Sequence, residues 1–322
     1  MTNITAVLAL ALGLQAAGSA ALSLRFKSRA ETAVPTFPTH PSWQIILRNQ
    51  VKIPPTNPPI QPDNVDVWDI DLFENTNNGQ DSSAIRYLKG LPNNPRVICY
   101  FSAGSYEPER SDWPANFDRD LYGNKLIGWD EWWLDINSTV VQEVMFNRIR
   151  LAARLGCDAV DPDNVVGYGE APNNRGNRTG KAFTLTEDKS VAFVQNMARV
   201  AHGLNIGIGL KNAFEILERV DDVVDFAVNE QCVETRECSK YDNFVQTKPV
   251  FHIEYQKGAD NSHTPLTDTT TVCTSYNEAG PREPEKIVDL TKLSTVIKNM
   301  NLDGWVEFCD KTVKTTELAP ED

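Results

Sequence analysis

A parallel (β/α)8 barrel in a single domain, residues 43–310, is the fold that the sequence predicts. Three observations carry that expectation. Eight short β-rich runs alternate with stretches of helical periodicity, the pattern of parallel α/β folds. No G-x-G-x-x-G follows the first run, as a doubly wound dinucleotide fold would require. Acidic residues recur at the ends of the runs, and in a barrel the carboxyl ends of the strands gather at one mouth.

Before the first strand the chain carries an uncharged run, Ile4–Leu24, with Arg25, Lys27 and Arg29 behind it. Residues 1–24 read as a signal peptide cleaved near Gly18-Ser19-Ala20, or as an amino-terminal anchor if uncut. A buried core helix is excluded, because Pro35, Pro38 and Pro41 would isolate it from any core. Residues 25–42 are polar and proline-punctuated and read as a linker. Strand runs follow at Trp43–Leu47, Val65–Leu72 and Val97–Ser102, with a shorter ninth piece at Trp133–Ile136. Val140–Leu155 sets Val144, Ile149, Ala152 and Leu155 along one helical face. Ala159–Asn164 is the fourth strand. A helix over Leu185–His202 then opens on the cap signal Thr186 and Asp188, and carries Val191, Val194, Met197 and Ala201. Ile206–Asn212, Phe226–Gln231 and Val250–Tyr255 are the fifth to seventh strands. The spacing of Ile287, Leu290, Leu293 and Ile297 predicts a helix over 286–299, ahead of an eighth strand at Gly304–Phe308. Residues 311–322 read as a frayed polar tail.

Composition narrows the function. Hydrophobic residues at 41% and charged residues at 23% describe an ordinary globular chain rather than a disordered one. A net charge of −13 argues against nucleic acid or an anionic membrane as partner, since phosphate recognition needs clustered Lys and Arg. Membrane contact is expected only through the amino-terminal segment, and the protein is expected to be a monomer. Six cysteines in a chain with a secretory leader permit disulfides. Cys232 with Cys238 is the best local pair and Cys273 with Cys309 a second, while Cys99 and Cys157 read as small core residues. No C-x-x-C pair exists and the four histidines fit no zinc spacing, so neither metal nor cofactor is expected. Asn137 and Asn177 head glycosylation sequons.

The chemistry is expected at the strand ends. Asp69 and Asp71 close the second strand, Asp161 and Asp163 the fourth, Lys211 and Asn212 the fifth, Glu230 the sixth, Glu254 the seventh and Glu307 the eighth. Any one of these acids, Asp69 and Glu307 above all, is explained as well by a salt bridge or a helix cap. The whole set is not, because apolar runs ending in carboxylates cost burial energy unless the groups pair or work in a cleft. Two carboxyls across an open mouth suit glycoside hydrolysis, in which one must stay protonated and the other ionised. Trp68, Tyr106, Trp113, Trp132, Trp133 and Tyr255 offer flat faces for sugar rings. No G-x-S-x-G elbow and no Walker sequence compete.

Seven motifs in order, VDVWDIDLF (65–73), VICYFSAGSYE (97–107), GWDEWWLDI (128–136), GCDAVDPDNVVGY (156–168), IGIGLKNA (206–213), FAVNEQC (226–232) and VFHIEY (250–255), resemble glycoside hydrolase family 114, the endo-α-1,4-polygalactosaminidases. The resemblance runs from Trp43 to Cys309. It implies a (β/α)8 barrel that cleaves internal α-1,4 links in a galactosamine-containing polysaccharide, using an Asp after the fourth strand and a Glu after the sixth. By motif the Glu is Glu230 and the Asp is Asp163 or Asp161. Related barrels read G-x-D-G-x-x-x-D here, which favours Asp163 and leaves Asp161 to bind substrate or tune a pKa. The stretch Gly169–Gly180 is longer than the family pattern and departs from it. Such a substrate is cationic, so Asp69, Asp71, Asp161 and Glu254 become candidate ligands for sugar ammonium groups. Tyr106, Trp133, Lys211, Asn212 and Tyr255 complete the expected binding set. Two other readings stay open: a catalytically silent carbohydrate-binding barrel at the cell surface, and a glycosidase acting on a neutral α-galactoside.

Overall fold

Eight parallel strands form one continuous curled sheet. In the computed structural model, which describes residues 33–55, 59–169, 175–176, 183–255, 263, 265–266 and 268–320, they are β1 (Trp43–Ile46), β2 (Val67–Asp71), β3 (Arg96–Ser102), β4 (Ala159–Asp163), β5 (Gly207–Lys211), β6 (Phe226–Glu230), β7 (Val250–Tyr255) and β8 (Ser294–Lys298). Each pairs in parallel with the next. Two antiparallel strands, β9 (Trp305–Phe308) and β10 (Val313–Thr315), extend the sheet beyond β8. The first strand is tied back to β8 and to the turn ahead of β9 by hydrogen bonds. The Trp43 indole N–H donates to the Ser294 carbonyl at 2.7 Å, the Gln44 amide to the Gly304 carbonyl at 3.0 Å and the Leu47 N–H to the Leu302 carbonyl at 3.0 Å. The architecture is that of a (β/α)8 barrel.

Helices α1 (Ser83–Lys89), α2 (Thr139–Leu155), α3 (Glu187–Gly203) and α4 (Phe214–Val220) stand between successive strands. The two long ones carry the caps that their sequences announce. Ser138 Oγ accepts the Val140 N–H, Gly156 at φ +99° ends α2, and Thr186 Oγ1 accepts the Lys189 N–H. The barrel interior follows the period of two along each strand. Val67, Ile98, Ala159, Phe226, Phe251 and Ile253 pack with Trp43 and Val296 into one apolar cluster.

Three sequence expectations give way here. Residues 286–299 form no helix; they make a strand at Ile287–Asp289 and then β8. The run Ser-Thr-Val-Ile-Lys is β-branched at its centre, and that local preference with sheet pairing on both sides outweighs the helical spacing of four apolar residues. The run at 304–308 is therefore the antiparallel β9, and Glu307 is buried there with its carboxylate accepting the Leu266 N–H at 2.7 Å. Through residue 320 the tail is not frayed: β10 pairs with β9, and the Ala319 N–H donates to the Gln50 carbonyl at 2.8 Å. Phe37, in the stretch read as a linker, sets its ring against Phe226 (5.2 Å) and Phe251 (6.2 Å) at the amino-terminal end of the barrel.

All six cysteines are paired. Cys232–Cys238 and Cys273–Cys309 are the expected bridges, and Cys99–Cys157 is a third that joins β3 to the start of β4. Cys99 and Cys157 are buried as expected, but as a bridge. The piece around Trp133 is the middle strand (Trp132–Leu134) of a small antiparallel sheet with Ser105–Tyr106 and Tyr122–Lys125. Among the described residues no helix is long and apolar enough to cross a membrane. The apolar amino-terminal run and the Asn177 sequon lie outside the described residues, whereas Asn137 is exposed just ahead of α2.

Candidate active site

The carboxyl ends of the strands open into a groove of about 820 Å³. Alternation along β4 turns Asp161 and Asp163 to the same side, with Pro162 between them facing away. At the end of β6, Phe226, Val228 and Glu230 share the inward face, and Gln231 at φ +65° turns the chain sharply into the Cys232–Cys238 loop. Lys211, the last residue of β5, lies fully buried between these two strands. Its Nζ is 3.5 Å from Asp163 Oδ2, 3.7 Å from Glu230 Oε2 and 4.0 Å from Asp161 Oδ2. The Asp163 and Glu230 oxygens that share Lys211 are thus within about 7 Å of each other, a spacing at which two carboxyls can flank one glycosidic bond.

Each carboxylate is held by further donors. Tyr100 donates its hydroxyl to Asp163 at 3.0 Å, and the Asn164 N–H donates at 2.6 Å. Glu230 accepts the Tyr255 hydroxyl on one oxygen and the Asn212 amide (3.0 Å) on the other, while the Asn212 side-chain oxygen accepts the Glu230 N–H at 2.8 Å. Burial works to raise the pKa of Glu230, but the Lys211 ammonium and the Tyr255 and Asn212 hydrogen bonds outweigh it and hold the carboxyl below its ordinary range. Burial works to lower the Lys211 pKa, but Asp163, Glu230, Asp161 and Asp69 around it outweigh that, raise it and keep the ammonium charged. Both Asp163 and Glu230 keep a path to solvent, at 18% and 20% exposure.

The other expected residues divide. Lys211, Asn212 and Tyr255 line the groove beside Asp163 and Glu230. Asp161 and Asp69 are fully buried beneath Lys211 and do not reach the groove surface. Asp71 borders the groove, but its oxygens are committed. One accepts the Phe73 and Glu74 N–H groups at 2.8 Å, and the other accepts Arg110 at 3.0 Å. Glu254 points the other way. In β7 the inward residues are Phe251, Ile253 and Tyr255, so the period of two sends Glu254 outward, where it accepts the Val233 N–H at 2.8 Å and pairs with His252 at 2.9 Å. Trp133 and Trp68 are buried, and Trp133 packs on the backbone at Gly167. Tyr106 is enclosed in a ring cluster with Trp113, Phe117, Tyr122 and Trp132, at centroid distances of 4.4 to 6.2 Å. Neither Trp133 nor Tyr106 lines the groove: Trp133 is buried in the core, and the half-buried Tyr106 sets its ring against the other aromatic rings.

Several groove residues were not anticipated. Tyr100 shares the inward face of β3 with Ile98 and sits level with Asp161, so strand parity could have found it. Asn164 enters because Gly104 lets the loop after β3 press against its backbone, where a Cβ would lie 1.7 Å from the Asn164 carbonyl oxygen. Glu107 is buried at the groove wall between Arg110 and Arg148; burial dominates over both cations and pushes its carboxyl up to about 7. Glu131 accepts the Ser105 hydroxyl, and burial raises it as well. Trp129, 57% exposed, supplies an open ring on the groove edge. Among the described residues the groove is lined by seven acids (Asp71, Glu107, Glu109, Asp130, Glu131, Asp163 and Glu230) against Arg48, Arg110 and Lys211; Asp71 and Glu107 are buried and paired with Arg110, and Asp130 pairs with Lys125 at 2.6 Å.

Cys232, Cys238 and His252 lie close enough to suggest a metal site, but the two sulfurs are joined in the disulfide.

Comparison with known proteins agrees with this arrangement. The crystal structure of Aspergillus fumigatus Ega3 in complex with galactosamine is similar over 86% of this chain and 98% of its own, at 37% identity and a TM-score of 0.67. The glycoside hydrolase domain of PelA from Pseudomonas aeruginosa shares the fold, with 12% identity, a TM-score of 0.56, and coverage of 81% of this chain and 96% of that one. Among curated proteins, comparison by sequence found no match. The profile of glycoside-hydrolase family GH114 matches residues 25–314, which takes in every barrel strand and every group around Lys211. This chain belongs to that family and is a glycoside hydrolase.

Proposed function

We propose that the protein is an endo-acting hydrolase of α-1,4-linked galactosamine polymers, with Asp163 and Glu230 as the reacting carboxyls. One observation carries the reading: both groups converge on the single buried ammonium of Lys211 in the floor of an acid-lined groove. The similarity to Ega3, solved with galactosamine, and the family motifs supply the substrate class. Three disulfides agree with a protein that works outside the cytosol.

Asp163, pinned by Tyr100, Asn164 and Lys211, is the nucleophile that attacks the anomeric carbon. Glu230, ionised in the free protein, takes up a proton as the bound polymer displaces water from the groove, gives it to the leaving oxygen and later takes one from water. Hydrolysis therefore proceeds with net retention through a covalent glycosyl-enzyme. Tyr255 and Asn212 fix the Glu230 carboxyl so that its proton is delivered along one direction. Sugar amines are held by acids with free oxygens at the groove rim, Glu109 foremost, since Asp71 is engaged by Arg110. Binding the polymer excludes water and strengthens these pairings.

The test is incubation of the purified protein with galactosamine oligomers, with products followed by mass spectrometry and the first-formed anomer by proton NMR. Wild-type protein is expected to yield internal cleavage products of α configuration. Glu230→Gln and Asp163→Asn are each expected to lose at least about a hundredfold in kcat, the lower end of what a positioned acid or base contributes. Binding without cleavage by the wild type would turn the reading to a silent carbohydrate-binding barrel. A first-formed β anomer would replace retention by inversion.

A further inference from the structure

Two carboxyls lie below the reacting pair without touching the groove. Asp69 on β2 and Asp161 on β4 are fully buried, and among the described residues no backbone or side-chain N–H or O–H reaches any of their four oxygens. They meet each other at hydrogen-bond range. The groups that face them can be named strand by strand. Ile45 on β1 and Ile98 on β3 stand level with Asp69, and Tyr100 on β3 stands level with Asp161 but gives its hydroxyl to Asp163. Asp163 follows on β4, Lys211 faces the pair from β5 and Glu230 from β6. Asp71 on β2 is turned to Arg110. Among the described residues the one cation in reach, Lys211, is 4.0 Å from Asp161 and is already shared by Asp163 and Glu230. Two carboxylates in contact in a dry interior, with no donor of their own, cannot both stay ionised.

We propose that Asp69 is kept as a neutral carboxylic acid whose O–H donates to Asp161, leaving Asp161 as the one anion that supports Lys211 from below while Asp163 and Glu230 draw on it from above. Asp69 is then a positioning residue: it reaches the reaction only through Asp161 and Lys211. The directions of titration agree. Burial pushes Asp69 well above its ordinary range, and the Asp161 charge and the hydrogen bond to it push further, against Lys211. Burial raises Asp161 to about 7, with Lys211 opposing. Above that pH the pair holds one proton and one charge; below it a second proton enters, and Lys211 is left to the upper pair. The kinetic consequence rests on the reading of Glu230 as the acid, whereas the protonation state does not.

Infrared spectroscopy of the purified protein tests the protonation directly. At a pH of about 8, above the Asp161 transition, the wild-type spectrum minus that of Asp69→Asn is expected to show a protonated-carboxyl C=O stretch, and the same band is expected to remain in Asp161→Asn. The pH profile tests the consequence. Asn at 69 still offers an N–H to Asp161, so the profile of Asp69→Asn should parallel the wild type. Asp69→Ala removes the donor, and Asp161→Asn removes the negative charge that helps Glu230 take up its proton. Both should lose at least about tenfold more kcat/KM at pH 8 than at pH 5, the effect of one pKa unit on a protonated fraction. Absence of the band in wild type, or its survival in Asp69→Asn with loss in Asp161→Asn, overturns the proposal. A profile of Asp69→Asn that falls with Asp69→Ala also overturns it. If the band depends on Asp69 and the wild-type protein cleaves nothing, the proposal stands and the catalytic reading fails instead.

Discussion

At the residue scale the site is organised by one cation. Lys211 is fully buried, yet it is surrounded by enough negative charge to stay protonated, and its ammonium lies between the carboxyls of Asp163 and Glu230. Its removal has a definite sign. Lys211 is the foremost of the influences that lower Glu230, so Lys211→Met should raise the Glu230 pKa and move the basic limb of kcat/KM to higher pH, with kcat reduced. The measurement is the pH dependence of oligomer hydrolysis. Movement of the acidic limb instead would make Glu230 the nucleophile and reverse the two roles. Most of this constellation was legible in the sequence, because Asp163, Lys211, Asn212 and Glu230 each stand at the end of an apolar strand run. Glu254 was misread although the information was present. In VFHIEY the large apolar residues Phe251, Ile253 and Tyr255 hold the inward phase, so a residue at 254 has to face out. Asp71 was misread for a different reason, since nothing near it in sequence announces Arg110, 39 positions away.

At the element scale two loops decide what the strands cannot. The segment 126–131 leaves the small antiparallel sheet and carries Trp129 to the groove edge with its ring exposed, while its neighbours Trp132 and Trp133 turn inward to the aromatic cluster and the core. Which of three tryptophans faces solvent depends on that sheet's pairing, and composition could not reveal it. Trp129→Ala should raise KM for longer oligomers by about tenfold, the size of one stacking contact, with kcat little changed. A pure kcat loss would place the ring elsewhere in the reaction. The Cys99–Cys157 bridge closes a loop with a sequence separation of 58 and ties β3 to the approach to β4, the strand that bears Asp163. Chain entropy assigns a loop of that length about 4 kcal/mol. Replacing both cysteines by Ala should lower Tm by roughly 10 °C while leaving kcat near wild type at low temperature. An unchanged melting curve would show the bridge to be dispensable. Neither cysteine declared its partner in sequence, because apolar flanks explain a buried thiol equally well.

At the scale of the whole molecule, the alternation of strands and helices and the order of the acid-ended runs make the barrel legible in the sequence. Residues 286–299 were not, since of the four apolar residues at helical spacing only Ile297 lies in β8, where Thr295, Val296 and Ile297 favour a strand and a neighbour pairs on each side. The net charge of −13 likewise has no address in sequence; among the described residues the structure puts seven acids around one groove against three cations. That concentration is the central claim, because it ties a two-carboxylate site to a cationic polymer. The most direct measurement is kcat/KM on matched deacetylated and N-acetylated oligomers at 0.1 M and 1 M salt. Across that range the screening length shrinks from about 10 Å to about 3 Å. The deacetylated chain should be the better substrate at low salt, its kcat/KM falling as salt rises while kcat moves less, and the acetylated chain should respond little. Equal rates with superimposable salt curves for the two chains would contradict the account and leave the acidic groove without a role in choosing its substrate.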